Sequence, residues 1–227
     1  LDRSFAIIGS DKAMCVVKGA VSVEIPVSKV DKDVIFKGLT FDYQPTKQKA
    51  NERCIPVFWL KDGETNFSVD NCIVNNRTEG YGFGYGDSSY RKMQNVFQSD
   101  STVTGSMIIK NTTVNLLANN QRAISSHGAM DTELVNSIIK GQDSGNQQHG
   151  VCVHRDNIRV ILDNSTISLS NHYGIWVIKG KGQSVNIKNH SVISGFGALY
   201  LMGPSSVQVS VTGGSTLTGV TKNNGPS

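Results

Sequence analysis

Seven short segments of this chain repeat one pattern: apolar, any, apolar, any, Asn or Gly, any, small or apolar, apolar or Thr. They are VIFKGLTF (34–41), FSVDNCIV (67–74), MIIKNTTV (107–114), TELVNSII (132–139), VILDNSTI (160–167), VNIKNHSV (185–192) and VSVTGGST (209–216). Their fifth residues are Gly38, Asn71, Asn111, Asn136, Asn164, Asn189 and Gly213, spaced by 33, 40, 25, 28, 25 and 24 residues. No other feature restricts the fold so strongly. One unit of about 25 residues has an apolar face and nothing to bury it against, so the units must stack on one another.

Between these anchors lies a second alternation: PVFWL (56–60), GFGYG (82–86), AISSH (123–127), GVCVH (150–154), GIWVI (174–178) and ALYLM (198–202). Alternation of period two is the mark of a strand with one buried face. Segments this short, separated by turn-forming residues, are strands rather than helices. The alternation assigns Val57, Trp59, Phe83, Tyr85, Ile124, Val151, Val153, Ile175, Val177, Leu199 and Leu201 to the inside. It assigns Phe58, Gly84, Ser125, Cys152, Trp176 and Tyr200 to an outward column. The anchor asparagines fall at the turns and are expected to face inward as a ladder of stacked amides. Five Asn-x-Ser/Thr sequons occur, at Asn66, Asn76, Asn111, Asn164 and Asn189. An inward ladder would exclude a glycan from the last three.

Stacked units of this kind pair their strands in parallel, and the crossovers are expected to be right-handed. The pattern resembles the right-handed parallel β-helix of the pectin-lyase-like superfamily, on the aligned anchors over residues 34–218. The expected fold is therefore all-β: a single-stranded right-handed parallel β-helix of about seven to nine coils. Residues 1–33 would form irregular first coils or a cap, 34–218 the regular coils, and 219–227 a tail. The resemblance implies a range of activities: pectate and other polysaccharide lyases, glycoside hydrolases, phage tailspikes and non-catalytic adhesins.

Composition agrees with many short strands joined by turns. Only 38% of residues are apolar and 18% charged, while Gly, Asn, Ser and Thr are abundant. A net charge of +4, without a basic stripe or aromatic interleaving, argues against nucleic-acid binding. No apolar run is long enough for a membrane span. The four cysteines, Cys15, Cys54, Cys72 and Cys152, have neither metal nor redox spacing and read as buried free thiols. The chain starts at Leu1 without a signal peptide, as expected for a processed product or part of a longer chain.

One stretch, HGVCVHRDN (149–157), carries a concentration of chemical groups. Aligning the second strands puts His127 and His154 at the same position on adjacent coils. Gly86 then precedes them and Ile178 follows. Arg155 is beside His154, and Asp87, Asp131 and Asp156 lie in nearby turns. In an enzyme His127 or His154 would be the base and Arg155 would face a substrate carboxylate. Asp87, Asp131 and Asp156 would offer oxygen ligands to Ca²⁺, although no cofactor is required by the sequence. His149, His172 and His190 have no such company. Trp176 and Tyr200, stacked in register and outward, are expected to bind saccharide, joined by Tyr90 and Arg91 from the long connection 86–102.

No adjacent acid pair or other residue-by-residue match to a lyase or hydrolase motif occurs. The leading expectation is a secreted or cell-surface module that binds a polysaccharide or host surface glycan. The rival is a polysaccharide lyase, or less readily a glycoside hydrolase, acting on an acidic glycan. A third reading is a phage tail-fibre-like structural protein.

Overall fold

In the computed structural model, which describes residues 5–23, 32–44, 54–80, 93–142, 147–178, 180–202 and 207–223, every strand pairing among those residues is parallel and none of them is helical. The chain is all-β. One sheet has eight strands and the other fourteen. None of the described residues forms a helix long and apolar enough to cross a membrane.

The repeat explains the pairing. In the eight-stranded sheet each strand pairs with its counterpart one repeat later: Lys32–Lys37 with Glu64–Asp70, then Thr104–Lys110, Ala129–Val135, Arg159–Asp163 and Ser184–Lys188. The fourteen-stranded sheet contains two further rows. The second row runs from Thr40–Tyr43 through Ile73–Asn76, Thr113–Leu116 and Ile138–Lys140. The third runs from Phe58–Leu60 through Gln94–Ser99, Gln121–Ser126 and His149–Val153. Both rows merge in the long strands Thr166–Val177 and Val192–Leu201.

Register then builds the core. Phe36, Val69, Ile109, Leu134, Leu162 and Ile187 follow one another across the first sheet, each at most 1% exposed. Phe41, Val74, Val114, Ile139, Ile167 and Ile193 do so across the second row, and Phe58, Phe97, Ile124, Val151, Ile175 and Leu199 across the third. Each such side chain contributes about 1.5–3 kcal/mol by leaving water. Phe36, Phe41, Phe58, Phe67 and Phe97 add an aromatic cluster, with Phe58 stacked on Phe97 at 4.9 Å between centroids.

The anchors form one line. Asn71, Asn111, Asn136, Asn164 and Asn189 all have φ between 46° and 55°, the left-handed conformation that Asn tolerates better than other side chains. Gly38 and Gly213 take the same conformation at the same position. Here the structure corrects the expected orientation: all five asparagines are exposed. A left-handed residue bends the chain between the first sheet and the second row, and its side chain points away from the bend. Their amides still link outside, Asn164 Nδ2 donating to Asn136 Oδ1 at 2.8 Å and Asn136 Nδ2 to Asn111 Oδ1 at 3.4 Å. The exclusion of glycans from Asn111, Asn164 and Asn189 on grounds of burial therefore falls.

The ladder that does face inward is made by the next residue. The Cys72 N–H donates to Thr112 Oγ1 (3.2 Å), Thr112 N–H to Ser137 Oγ (3.2 Å), Ser137 N–H to Ser165 Oγ (3.0 Å), Ser165 N–H to Ser191 Oγ (3.1 Å) and Ser191 N–H to Ser215 Oγ (3.1 Å). Every hydroxyl in this line gives the buried amide before it an acceptor. That need follows from breaking the strand ladder at a bend inside the protein.

The third row departs from the expected alignment at its start. Phe58 pairs with Phe97 and is 0% exposed, while Trp59 pairs with Gln98 and is half-buried on the other face. The inward and outward assignments of these two residues are thus exchanged. The rung that follows is Gln94–Ser99, within the stretch expected to be a long turn. Phe83, Gly84, Tyr85 and Gly86, placed in that rung by the sequence pattern, lie outside the described residues. At the ends, Phe5–Ile8 and Val16–Val17 join the parallel rows, and Val220–Asn223 pairs with Val192–Leu201.

Candidate functional site

The outer side of the third row gathers the chemistry. A column of register neighbours runs Trp59, Gln98, Ser125, Cys152, Trp176 and Tyr200. Two residues further along each strand is the column Asp100, His127, His154, Ile178 and Met202, fixed by main-chain bonds to the preceding repeat. Three residues before the first column stand Asn95, Arg122 and His149, again in register. The row turns between these columns. Ala123 and Ile124 both join the core, as do Ala198 and Leu199, so the strand presents two inward residues in succession. The corner is narrow: a Cβ on Gly150 would strike the Gly174 carbonyl oxygen, and one on Gly174 would strike Ile193. This is why small residues open these strands.

His127 and His154 meet as the sequence register requires, stacked at 4.0 Å with 21° between the rings. Both are half-buried, and His127 Nε2 lies 3.2 Å from Ser125 Oγ. Asp100 occupies the position before them, where Gly86 was expected, and accepts from Gln98 Nε2 at 3.0 Å. Arg155 is engaged with main chain: its Nε donates to the His127 carbonyl (2.8 Å) and its Nη2 to that of Ser101 (3.1 Å).

Asp131 and Asp156 each have partners of their own. Asp131 lies on the first sheet and accepts from Arg159 Nε, Nη2 and main-chain N–H. Asp156 accepts the Lys181 N–H at 2.8 Å. Among the described residues no three His, Cys, Asp or Glu side chains are placed to hold a metal ion. Asp87, Tyr90 and Arg91 lie outside the described residues.

Trp176 is not the exposed platform expected. It is 3% exposed, and its ring is stacked between His149 (4.8 Å) and Tyr200 (5.6 Å, 13°). Both indole faces are taken by protein rings, which leaves none for a sugar. Tyr200 is half-buried and also packs on Tyr173 at 4.8 Å.

Beside Trp176 lies a buried group that sequence reasoning passed over. Arg122 is 1% exposed, His149 and Cys152 are 0% exposed, and His172 reaches His149 at 4.1 Å. Burial, then the neighbouring His172 and Arg122, hold His149 well below its ordinary pKa. Burial and Arg122 bring His172 down to about 4. Burial pushes the Cys152 thiol up to about 11 against the pull of Arg122. Two neutral imidazoles and a neutral thiol therefore surround one guanidinium. The available signal was positional: Arg122 and His149 stand the same two residues before Ile124 and Val151 on adjacent rungs. Strict alternation would put both in the core, and only the corner turns them out.

The chain matches no known family model, no curated protein and no solved structure.

Proposed function

We propose that the chain is a right-handed parallel β-helix that acts outside the cytoplasm as a binding module for a polysaccharide or surface glycan, using the outer side of its third row. The parallel rows and the recurring bend support the architecture. The single observation that carries the function is the strip of half-buried Asp100, His127, His154 and Tyr200 beside the buried Ser125. Corresponding outward positions on the first sheet hold Ser68, Ile108, Glu133, Ile161 and Asn186, with no such grouping of rings and polar heads. Aromatic edges and paired polar groups suit the hydroxyl-rich, partly apolar surface of a sugar chain. A glycan array with neutral and acidic polysaccharides tests the reading: binding weakened by His127→Ala with His154→Ala supports it, and no binding anywhere refutes it.

The stacked His127–His154 pair, with Ser125 Oγ at 3.2 Å, favours one second reading, a polysaccharide lyase with a histidine base. Absorbance of unsaturated products on incubation with acidic glycans, with and without Ca²⁺, distinguishes turnover from binding.

A further inference from the structure

Among the described residues, each row of strands ends at both tips of the stack in a strand paired along one edge only. At one tip these strands are Phe5–Ile8, Val16–Val17 and Val21–Val23. At the other they are Gln208–Val211, Thr216–Leu217 and Val220–Asn223. An edge that faces solvent is ordinarily blunted by charge or proline. Phe5–Ile8 (FAII) and Gln208–Val211 (QVSV) contain neither.

The core runs out at both tips. The column from Phe36 to Ile187 is at most 1% exposed, yet it begins at Ile7 and finishes at Val211, which are 47% and 42% exposed. The second row repeats this: its column from Phe41 to Ile193 is fully buried, and the half-buried Val17 and Leu217 stand at its two ends. Val209 is exposed although it is in register with the buried Val185. These side chains occupy inward positions and lack only a rung beyond them. Terminal units of a stack ordinarily turn a polar face outward; here both tips present the apolar interior.

The two tips match each other. Phe5–Ile8 and Gln208–Val211 have four residues each, Val16–Val17 and Thr216–Leu217 two each, and Val21–Val23 and Val220–Asn223 three and four. They are opposite edges of the same parallel ladders. Laying the first rung of one copy on the last rung of another therefore reproduces the contact between successive rungs inside the protein. All three rows pair at once, with Ile7 against Val211 and Val17 against Leu217. Two like tips brought together would run their strands antiparallel and reverse the order of the rows, so the rows would no longer coincide.

We propose that the two tips form an interaction surface whose partner is a second copy of this chain, the Gln208–Val211 tip of one copy seated on the Phe5–Ile8 tip of the next. The contact is heterologous and does not close, so copies add in line. It involves neither His127 nor His154 and is independent of the glycan reading.

Sedimentation velocity of the full chain from micromolar to submillimolar concentration tests this. The mass should rise with concentration and pass beyond that of two copies. Hydrogen exchange should slow at high concentration in Phe5–Ile8 and Gln208–Val211, a readout that needs no variant. Ile7→Lys and Val211→Lys each change a side chain already exposed in the single copy, and a cooperative melt confirms their folding. Each variant alone should stay single. Their equimolar mixture should associate and stop at two copies, because one intact tip of each kind remains. A wild-type chain that stays single throughout overturns the proposal, as does slowed exchange confined to the sides of the stack. Association that survives in either variant alone overturns the head-to-tail arrangement, since like tips or another face would then be joined. A mixture that stays single does the same.

Discussion

Replacing Ser137 by alanine tests the inner hydroxyl ladder. Ser137 is 1% exposed; its Oγ accepts the Thr112 N–H at 3.2 Å and donates to the Val135 or Ile109 carbonyl at 2.8 or 3.0 Å. Alanine removes only the oxygen. The Val135 carbonyl keeps the Asn111 N–H at 2.9 Å, so its loss is small. The Thr112 N–H is different. Thr112 is 1% exposed, and the space vacated by one hydroxyl is too small to admit water. An orphaned buried donor costs about 1–3 kcal/mol, and we expect about 2 kcal/mol here. In a domain of this length that lowers Tm by roughly 4–8 °C. Urea denaturation of Ser137→Ala should shift the midpoint at constant slope, and hydrogen exchange at the Thr112 amide should accelerate. A loss below about 0.5 kcal/mol, with the Thr112 amide still protected, would refute the ladder as a stabilising device.

The neighbouring Asn136 is exposed and held at φ 48°, so Asn136→Ala should cost about 1–2 kcal/mol from backbone strain while Asn136→Gly costs less; equal losses on denaturation would reject that cause. Phe58→Ala should cost about 3–5 kcal/mol, well above Trp59→Ala, since Phe58 packs among four other phenylalanines; the reverse order in denaturant midpoints would restore the simple alternation. His149 and His172 are held neutral in the fold but take protons below pH 6.5 when unfolded, so stability should fall as pH drops from about 6.5 to about 4. Asp70 and Asp163, lowered from 3.8, withdraw their contributions only below that window. Thermal midpoints of the His149→Asn, His172→Asn double variant should be flatter across it, and an unchanged slope would refute the assignment. A thiol reagent should modify Cys15 first in the native protein, because Cys54, Cys72 and Cys152 are buried; mass spectrometry showing early modification of Cys152 would contradict its burial and raised pKa.

Local chemistry alone determined the parallel strands, their repeat and the line of anchors. Alternation exposes a one-sided strand wherever it occurs, and Asn or Gly marks the left-handed bend because few other residues tolerate it. The meeting of His127 with His154 was legible for the same reason: both follow a strand whose inward residues count off unambiguously. What the sequence could not decide was direction at the corners. Asn136 and Ser137 are adjacent and both polar, and only the bend sends one to solvent and the other to the interior. In the third row the corner turns two successive residues inward, which carries Arg122 and His149 out of the core where alternation alone would have put them. The same packing closes Trp176 between two rings and spends Arg155 on main-chain carbonyls. A pattern of residue types records which side chains share a face. Whether that face is open, and whether a charge on it finds a partner, depends on groups that only the stacking of successive repeats brings together.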